Sequence, residues 1–172
     1  MFENIKQDLI SYQGNWGEQG FWVMLVYRFG RWRYSIKNKF LRKPFSLLYK
    51  ILYKFIQIIT GIEFPCEVEV GENFIIDHFG GIIVSGYAKF GDNCRIRNGV
   101  VVGLKNVDTP SAPQFGNNVD IGAGAKILGS IKIGNHVLIG ANAVVLSDVP
   151  DNCIAVGVPA KIKPIKTNES SK

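Results

Sequence analysis

Histidine is the side chain best suited to move protons near neutral pH, with an ordinary pKa of about 6.5. This chain of 172 residues has two. His78 stands in Asp77-His78-Phe79-Gly80-Gly81, where an otherwise regular pattern breaks, and His136 stands inside the regular stretch "IGNHVLIG". His78 is therefore the candidate for chemistry, and His136 reads as a solvated turn residue. The three cysteines, Cys66, Cys94 and Cys153, are scattered, odd in number and without a CxxC pair. That spacing argues against a disulfide framework and against a metal site, and each cysteine reads as a small buried hydrophobe.

The elements that must position His78 follow from a repeat of six. Phe115, Ile121, Ile127, Ile133, Ile139 and Val145 recur without a break. The position four places further on is small or apolar throughout: Val119, Ala125, Ile131, Val137, Ala143 and Val149. Val84, Phe90, Ile96 and Val102 form a second run, and Ile62, Val68 and Phe74 a third. Neither the 3.6-residue period of a helix nor the two-residue period of a strand gives six. A triangular coil does: each hexad supplies a short strand and a turn, three hexads close a coil, and marker side chains stack inward from coil to coil. Nineteen glycines suit its many tight turns. Thirteen markers make about four coils.

The register fails twice. Phe74 to Val84 is ten residues rather than six, and Val102 to Phe115 is thirteen rather than twelve. The first break holds His78. The second holds the polar stretch Lys105 to Pro113. Insertions into so regular a wall must leave it as loops, and loops on a rigid scaffold are where binding and catalysis concentrate.

At "FIIDHFGGIIV", "FGDNCRIRNGVVVG", "IGAGAKILGSIKIGNHVLIGANAVVLSDVPDN" and "GVPAKI", the chain resembles the serine acetyltransferase branch of the hexapeptide acyltransferases, over about residues 61–165. The opening stretch around "MLVYRFGRW" is more similar to the short acetyltransferases of exopolysaccharide clusters, of the colanic-acid type. The resemblance implies a mainly β fold, a left-handed parallel β-helix (61–165) with an N-terminal α-helical extension (1–60) and a flexible tail (166–172). It also implies a homotrimer using acetyl-CoA and no metal.

In that family the residue matching His78 is the general base that takes the proton of an acceptor hydroxyl. An acidic residue fourteen or fifteen positions upstream orients it; Glu63 fits, its other reading being a plain turn glutamate. Asp77 matches a residue that touches the acceptor, and in this chain it could equally shape the loop. Coenzyme A in the family runs along the groove between adjacent β-helices, against small residues. Gly103, Ala123, Gly124, Ala141 and Asn142 fit that path, as do Gly157, Pro159 and Ala160. Lys126, Lys161 and Lys163 could meet its phosphates or be solvated charges. Where serine acetyltransferases carry an Arg-His pair for the acceptor carboxylate, this chain has Ser111 and Ala112. A carboxylate without a cation is poorly held, which favours a neutral polyhydroxyl acceptor such as a sugar.

The formal charge of +6 is uneven. Residues 1–60 hold ten Lys/Arg against three Asp/Glu, or +7, and the other 112 hold ten against eleven, or −1. Phe2–Tyr12 and Phe21–Arg33 read as helices, and Pro44 can open a third that Gly61 caps. In this third helix Lys43, Lys50, Lys54 and Gln57 make a narrow polar stripe beside a wide apolar arc. It is too short and interrupted to span a bilayer. It either packs on the β-helix or its trimer mates, or lies at the inner membrane surface. No nucleic-acid motif accompanies the basic charge.

Three functions follow as expectations. The first is a sugar O-acetyltransferase of capsule, exopolysaccharide or lipopolysaccharide synthesis, cytoplasmic or peripheral at the inner membrane face. The second is a serine O-acetyltransferase of cysteine biosynthesis. The third is a non-catalytic β-helix scaffold, disfavoured because the metal-binding members need more than two histidines.

Overall fold

The computed structural model describes residues 2–106 and 111–165, so the expected tail and the centre of the second inserted loop lie outside the described residues. Three helices come first: α1 (Phe2–Ser11), α2 (Gln19–Trp32) and α3 (Lys39–Thr60). The first two fall within two residues of expectation. The third starts five residues before Pro44, because the Asn38 side-chain oxygen accepts from the amides of Phe40 and Leu41 at 2.9 and 3.4 Å. That cap outweighs the one hydrogen bond Pro44 cannot make. Gly61 ends α3 at φ 66°, its amide donating to the Gln57 carbonyl.

Short strands then build three walls of a triangular coil. The first wall stacks β1 (Ile62–Glu63), β4 (Ile82–Val84), β7 (Val101–Gly103), β10 (Lys126–Leu128) and β13 (Val144–Val145). The second stacks β2 (Glu69–Val70), β5 (Lys89–Phe90), β8 (Gln114–Phe115) and β11 (Lys132–Ile133). The third stacks β3 (Ile75–Asp77), β6 (Arg95–Arg97), β9 (Asp120–Ile121), β12 (Leu138–Ile139), β14 (Cys153–Val156) and β15 (Lys161–Pro164). All pairings are parallel except β14 with β15.

The marker side chains stack as expected over most of the chain. Val84, Val102, Ile127 and Val145 lie one above another in the first wall. Phe90, Phe115 and Ile133 do so in the second, and Ile96, Ile121 and Ile139 in the third. The first coil corrects the sequence reading. Ile96 pairs with Ile76, not Phe74, and Phe90 with Val70, not Val68. The run Ile62, Val68, Phe74 is therefore two residues out of register.

A regular coil takes eighteen residues, as from Lys126 to Val144. Ile75 to Arg95 takes twenty, and Ile83 to Val101 again eighteen, so two extra residues lie between β3 and β4. Lys89 to Gln114 takes twenty-five, which puts seven extra residues, not one, between β7 and β8. Both loops emerge where the sequence placed them, but with different lengths.

The open edge of the first coil is closed from below by three tyrosine hydroxyls. Tyr12, just after α1, accepts from the Ile76 amide at 2.9 Å. Tyr27 of α2 donates to the Val68 carbonyl at 2.9 Å, and Tyr49 of α3 accepts from the Cys66 amide at 3.0 Å. Burial raises the pKa of all three phenols. Asp8 and Arg28 tie α1 to α2 through a bidentate pair at 2.8 and 2.9 Å. The three cysteines are free and buried.

Candidate active site

The third and first walls meet at a corner that each coil turns with two residues: Asn98-Gly99, Ala123-Gly124 and Ala141-Asn142. In the first coil the same corner is turned by four, His78-Phe79-Gly80-Gly81. Gly61, Gly81, Gly99, Gly124 and Asn142 form a column of left-handed residues, with φ between 57° and 73°. A Cβ on Gly99 would sit 3.3 Å from the Gly124 Cα, so the column admits close backbone stacking. Gly99 donates to the Gly80 carbonyl, Gly124 to Asn98 and Asn142 to Ala123, at 2.8 to 2.9 Å.

The two extra residues push His78 out of this column. It is exposed and adopts φ 63°, the left-handed turn conformation that Asn and His residues adopt at other corners of the coil. Phe79 beside it is also exposed. His136 occupies a different corner, in a column with Asn73, Asn93, Asn118 and Asn152, all with φ from 54° to 57°. It is a turn residue, as its sequence setting indicated.

Ala123, Gly124, Ala141 and Asn142 thus lie on the same corner, two and three coils above the His78 loop. Gly157 and Ala160 extend the first wall, hydrogen-bonding to the amide and the carbonyl of Val144 at 3.0 and 2.8 Å. Pro159 lies in the same turn. Gly103 ends β7 at the far edge of that wall, next to Leu128. The Lys126 ammonium donates to the Gly99 and Gly124 carbonyls at 2.7 Å each, bracing the column. Lys161 and Lys163 are exposed on β15.

The two carboxylates are engaged elsewhere within the protomer. Glu63 accepts from Gln57 Nε2 at 3.1 Å, and Gln57 accepts from Lys54 at 2.9 Å. The Glu63 carboxylate is therefore tied to α3 and not bonded to His78. Asp77 pairs with Arg95 at 3.2 Å and with Arg97 at 3.9 Å. Arg97 also pairs closely with Asp120. Hydrogen bonding to Asp120 raises the Arg97 pKa above its ordinary value, against the opposing effect of partial burial. This ladder of charges climbs three coils on the outer face of the third wall. Sequence reading missed it because it is visible only once both insertions are counted into the register.

The second inserted loop leaves at the opposite edge of the first wall, after β7. Ala112 and Pro113 are buried where it rejoins, and Lys105, Asn106, Ser111, Gly129 and Ser130 line a cavity of about 500 Å³ beside it. Among the described residues no cluster of His, Cys, Asp and Glu could hold a metal ion.

The family profile "Bacterial transferase hexapeptide (six repeats)" matches residues 113–147. A protein of Escherichia coli (strain K12) that bears the name "Putative colanic acid biosynthesis acetyltransferase WcaB" is 34% identical over 88% of this chain and 95% of its own length. The chain belongs to the bacterial hexapeptide transferases. Other similar members are serine acetyltransferases. That of Synechococcus elongatus is 35% identical over 83% of this chain, and that of Helicobacter pylori (strain J99) is 38% identical over 74%. The chain spans only 56% of the Synechococcus enzyme. Among solved hexapeptide transferases, serine acetyltransferase from Brucella abortus superposes with a TM-score of 0.80 at 27% identity, covering 95% of this chain and 68% of that one. Its complex with coenzyme A gives 0.79 at 27%, covering 94% and 66%. The coil of this transferase is thus the left-handed β-helix the sequence implied.

Proposed function

We propose that this transferase moves an acetyl group from acetyl-CoA to a sugar hydroxyl during synthesis of a surface polysaccharide. The observation that carries the reading is length-matched similarity to WcaB, which the chain covers almost end to end, combined with Ser111 and Ala112 at the acceptor loop. Arg95 and Arg97, the cations beside Asp77, are already paired with carboxylates. An acceptor carboxylate would compete with Asp77 and Asp120 for them.

Acetyl-CoA, when bound, supplies an activated thioester. The residues suit it: the corner column and the end of β7 present glycine and alanine, and a Cβ on Gly103 would meet only Leu128, at 3.7 Å. The His78 imidazole takes the proton of the acceptor hydroxyl and returns it to the sulfur as the carbon–sulfur bond breaks. Glu63 positions that imidazole once α3 releases it. A backbone amide near the coil wall, outside the paired amides of the corner column, holds the developing oxyanion. The two inserted loops leave opposite edges of one wall. A site that draws on both is completed between neighbouring chains; the similarity to the hexapeptide transferases supports a homotrimer as that assembly and the cytoplasm as its setting.

His78→Ala is the direct test. It should fold and assemble normally while turnover falls about 10²- to 10⁴-fold, the usual contribution of a positioned general base. Near-normal turnover would end the assignment. Serine O-acetylation is the second reading, favoured by the solved structures this chain resembles. Release of free coenzyme A with L-serine against oligosaccharide acceptors separates the two, and faster release with L-serine would make the amino acid, not the sugar, the acceptor.

A further inference from the structure

The buried face of α3 is narrow: Tyr49, Ile56 and Thr60 pack against α2 and β1. Its outer face is apolar and exposed on the protomer. Leu41, Leu47, Leu48, Ile51, Phe55 and Ile58 are between 45% and 74% exposed. On the helical wheel these six fall in one arc, and Lys39, Lys43, Lys50 and Lys54 fall within about 60° along one border of it. Lys39, Arg42, Lys43, Ser46, Leu47 and Lys50 also line a shallow hollow of about 400 Å³. From Gln19 to Ile62 the sequence has nine Lys or Arg and no Asp or Glu.

We propose that α3 lies in the plane of an anionic phospholipid surface, its apolar arc among the acyl chains and its basic border, with the hollow, against the headgroup phosphates. Charge selects this occupant. An apolar arc bordered by cations is the pattern of an interfacial helix, and each Lys or Arg near such a surface adds to binding. Self-association through the same face would bring like charges together with no carboxylate on the segment to meet them. No described helix is long and apolar enough to cross a membrane, so the helix lies on the surface.

The proposal also names an acceptor class, and in this it rests on the sugar-acetylation reading. The end of α3 adjoins the His78 loop: a Cβ on Gly61 would sit 3.3 Å from the Gly80 Cα. A docked α3 holds that loop at the lipid surface, where a glycan carried on a lipid is presented.

The test uses the full chain with vesicles of phosphatidylcholine, with and without phosphatidylglycerol, at low and high salt. Wild type should sediment with the anionic vesicles only, and less at high salt. Lys39→Gln/Lys43→Gln/Lys50→Gln should weaken binding at least about tenfold, and so should Ile51→Ser/Phe55→Ser. Both variants change solvent-facing residues and should keep the wild-type circular dichroism, melting temperature and turnover of a water-soluble glycan. Wild type that ignores anionic vesicles, or binds neutral ones equally, overturns the proposal. So does a smaller oligomer for Ile51→Ser/Phe55→Ser without lipid, which would show a second copy covering the face. Turnover of a vesicle-borne glycolipid should fall with binding, and equal turnover by variant and wild type overturns the acceptor class. Vesicle binding is read without any acceptor, so a chain that binds but acetylates no sugar would refute the enzymatic reading and leave the docking in place.

Discussion

Asp77 sits next to the candidate base, yet its carboxylate is shared between Arg95 and Arg97. These pairs are partly exposed, so they add little to stability, and their work is to fix where the carboxylate points. Asp77→Asn should leave the melting temperature within a few degrees, raise the acceptor KM about tenfold and barely change kcat, if Asp77 meets the acceptor. Steady-state kinetics against acceptor concentration decide this, and unchanged KM assigns Asp77 to loop shape alone. Glu63→Gln should lower kcat about ten- to a hundredfold with the KM for acetyl-CoA unchanged, since an orienting carboxylate acts on the base and not on the thioester. That His78 stands on an inserted loop was legible in the sequence, because it falls in a break of the repeat. The charge ladder was not, because Asp77, Arg97 and Asp120 are twenty and twenty-three residues apart and the regular coil is eighteen.

Among the elements, the strands of the later coils were legible and the first coil was misread, for one reason. Each hexad buries two side chains, two residues apart. Each later run of hexads holds pairs with a small member, as Ala88, Cys94, Ala125 and Ala143 are; there the large one marks the strand, and the unbroken spacing carries that register to the other pairs. In the first coil both are large: Ile62 with Phe64, and Phe74 with Ile76. Size then cannot say which is which. Those large residues join a row of rings through the core, with Phe64 to Phe74 at 5.3 Å, Phe74 to Phe90 at 5.0 Å and Phe90 to Phe115 at 4.4 Å. Phe90→Ala should cost about 3–5 kcal/mol, read by urea unfolding. Gly91→Ala should also destabilise, because a Cβ there would lie 2.7 Å from the Gly116 carbonyl oxygen, and that backbone cannot yield without shifting its coil.

The whole molecule buries several groups that would ionise only in alkali. Burial pushes the Cys94 thiol from 9.0 up to about 11 and raises Tyr12, Tyr27, Tyr49 and Tyr53 above 10.0. Each folded-state pKa lies above its unfolded value. The stability linked to these groups is therefore fully present below about pH 9 and is lost as pH rises through the folded values. Melting temperature should begin to fall near pH 9. Cys94→Ala should remove the first part of that fall, up to about 3 kcal/mol, and a flat profile to pH 11 would contradict it. The triangular coil was legible in the sequence at this scale because periodicity records which side chains stack. The tyrosine floor was not, because nothing in three isolated tyrosines says which carbonyl or amide each will meet.

The other end of the stack has a consequence of its own. The second wall finishes on Val149 and the first on the 157–160 turn. The third finishes on β15, which runs backward and carries Lys161, Lys163 and Pro164. A reversed strand with two cations and a proline is a poor template for another chain. Without it, β14 would offer an open parallel edge of the kind the coils use to grow, and separate molecules could add to one another like beads on a rod. A chain ending at Ala160 should therefore scatter light and form filaments under conditions in which the full chain stays dispersed.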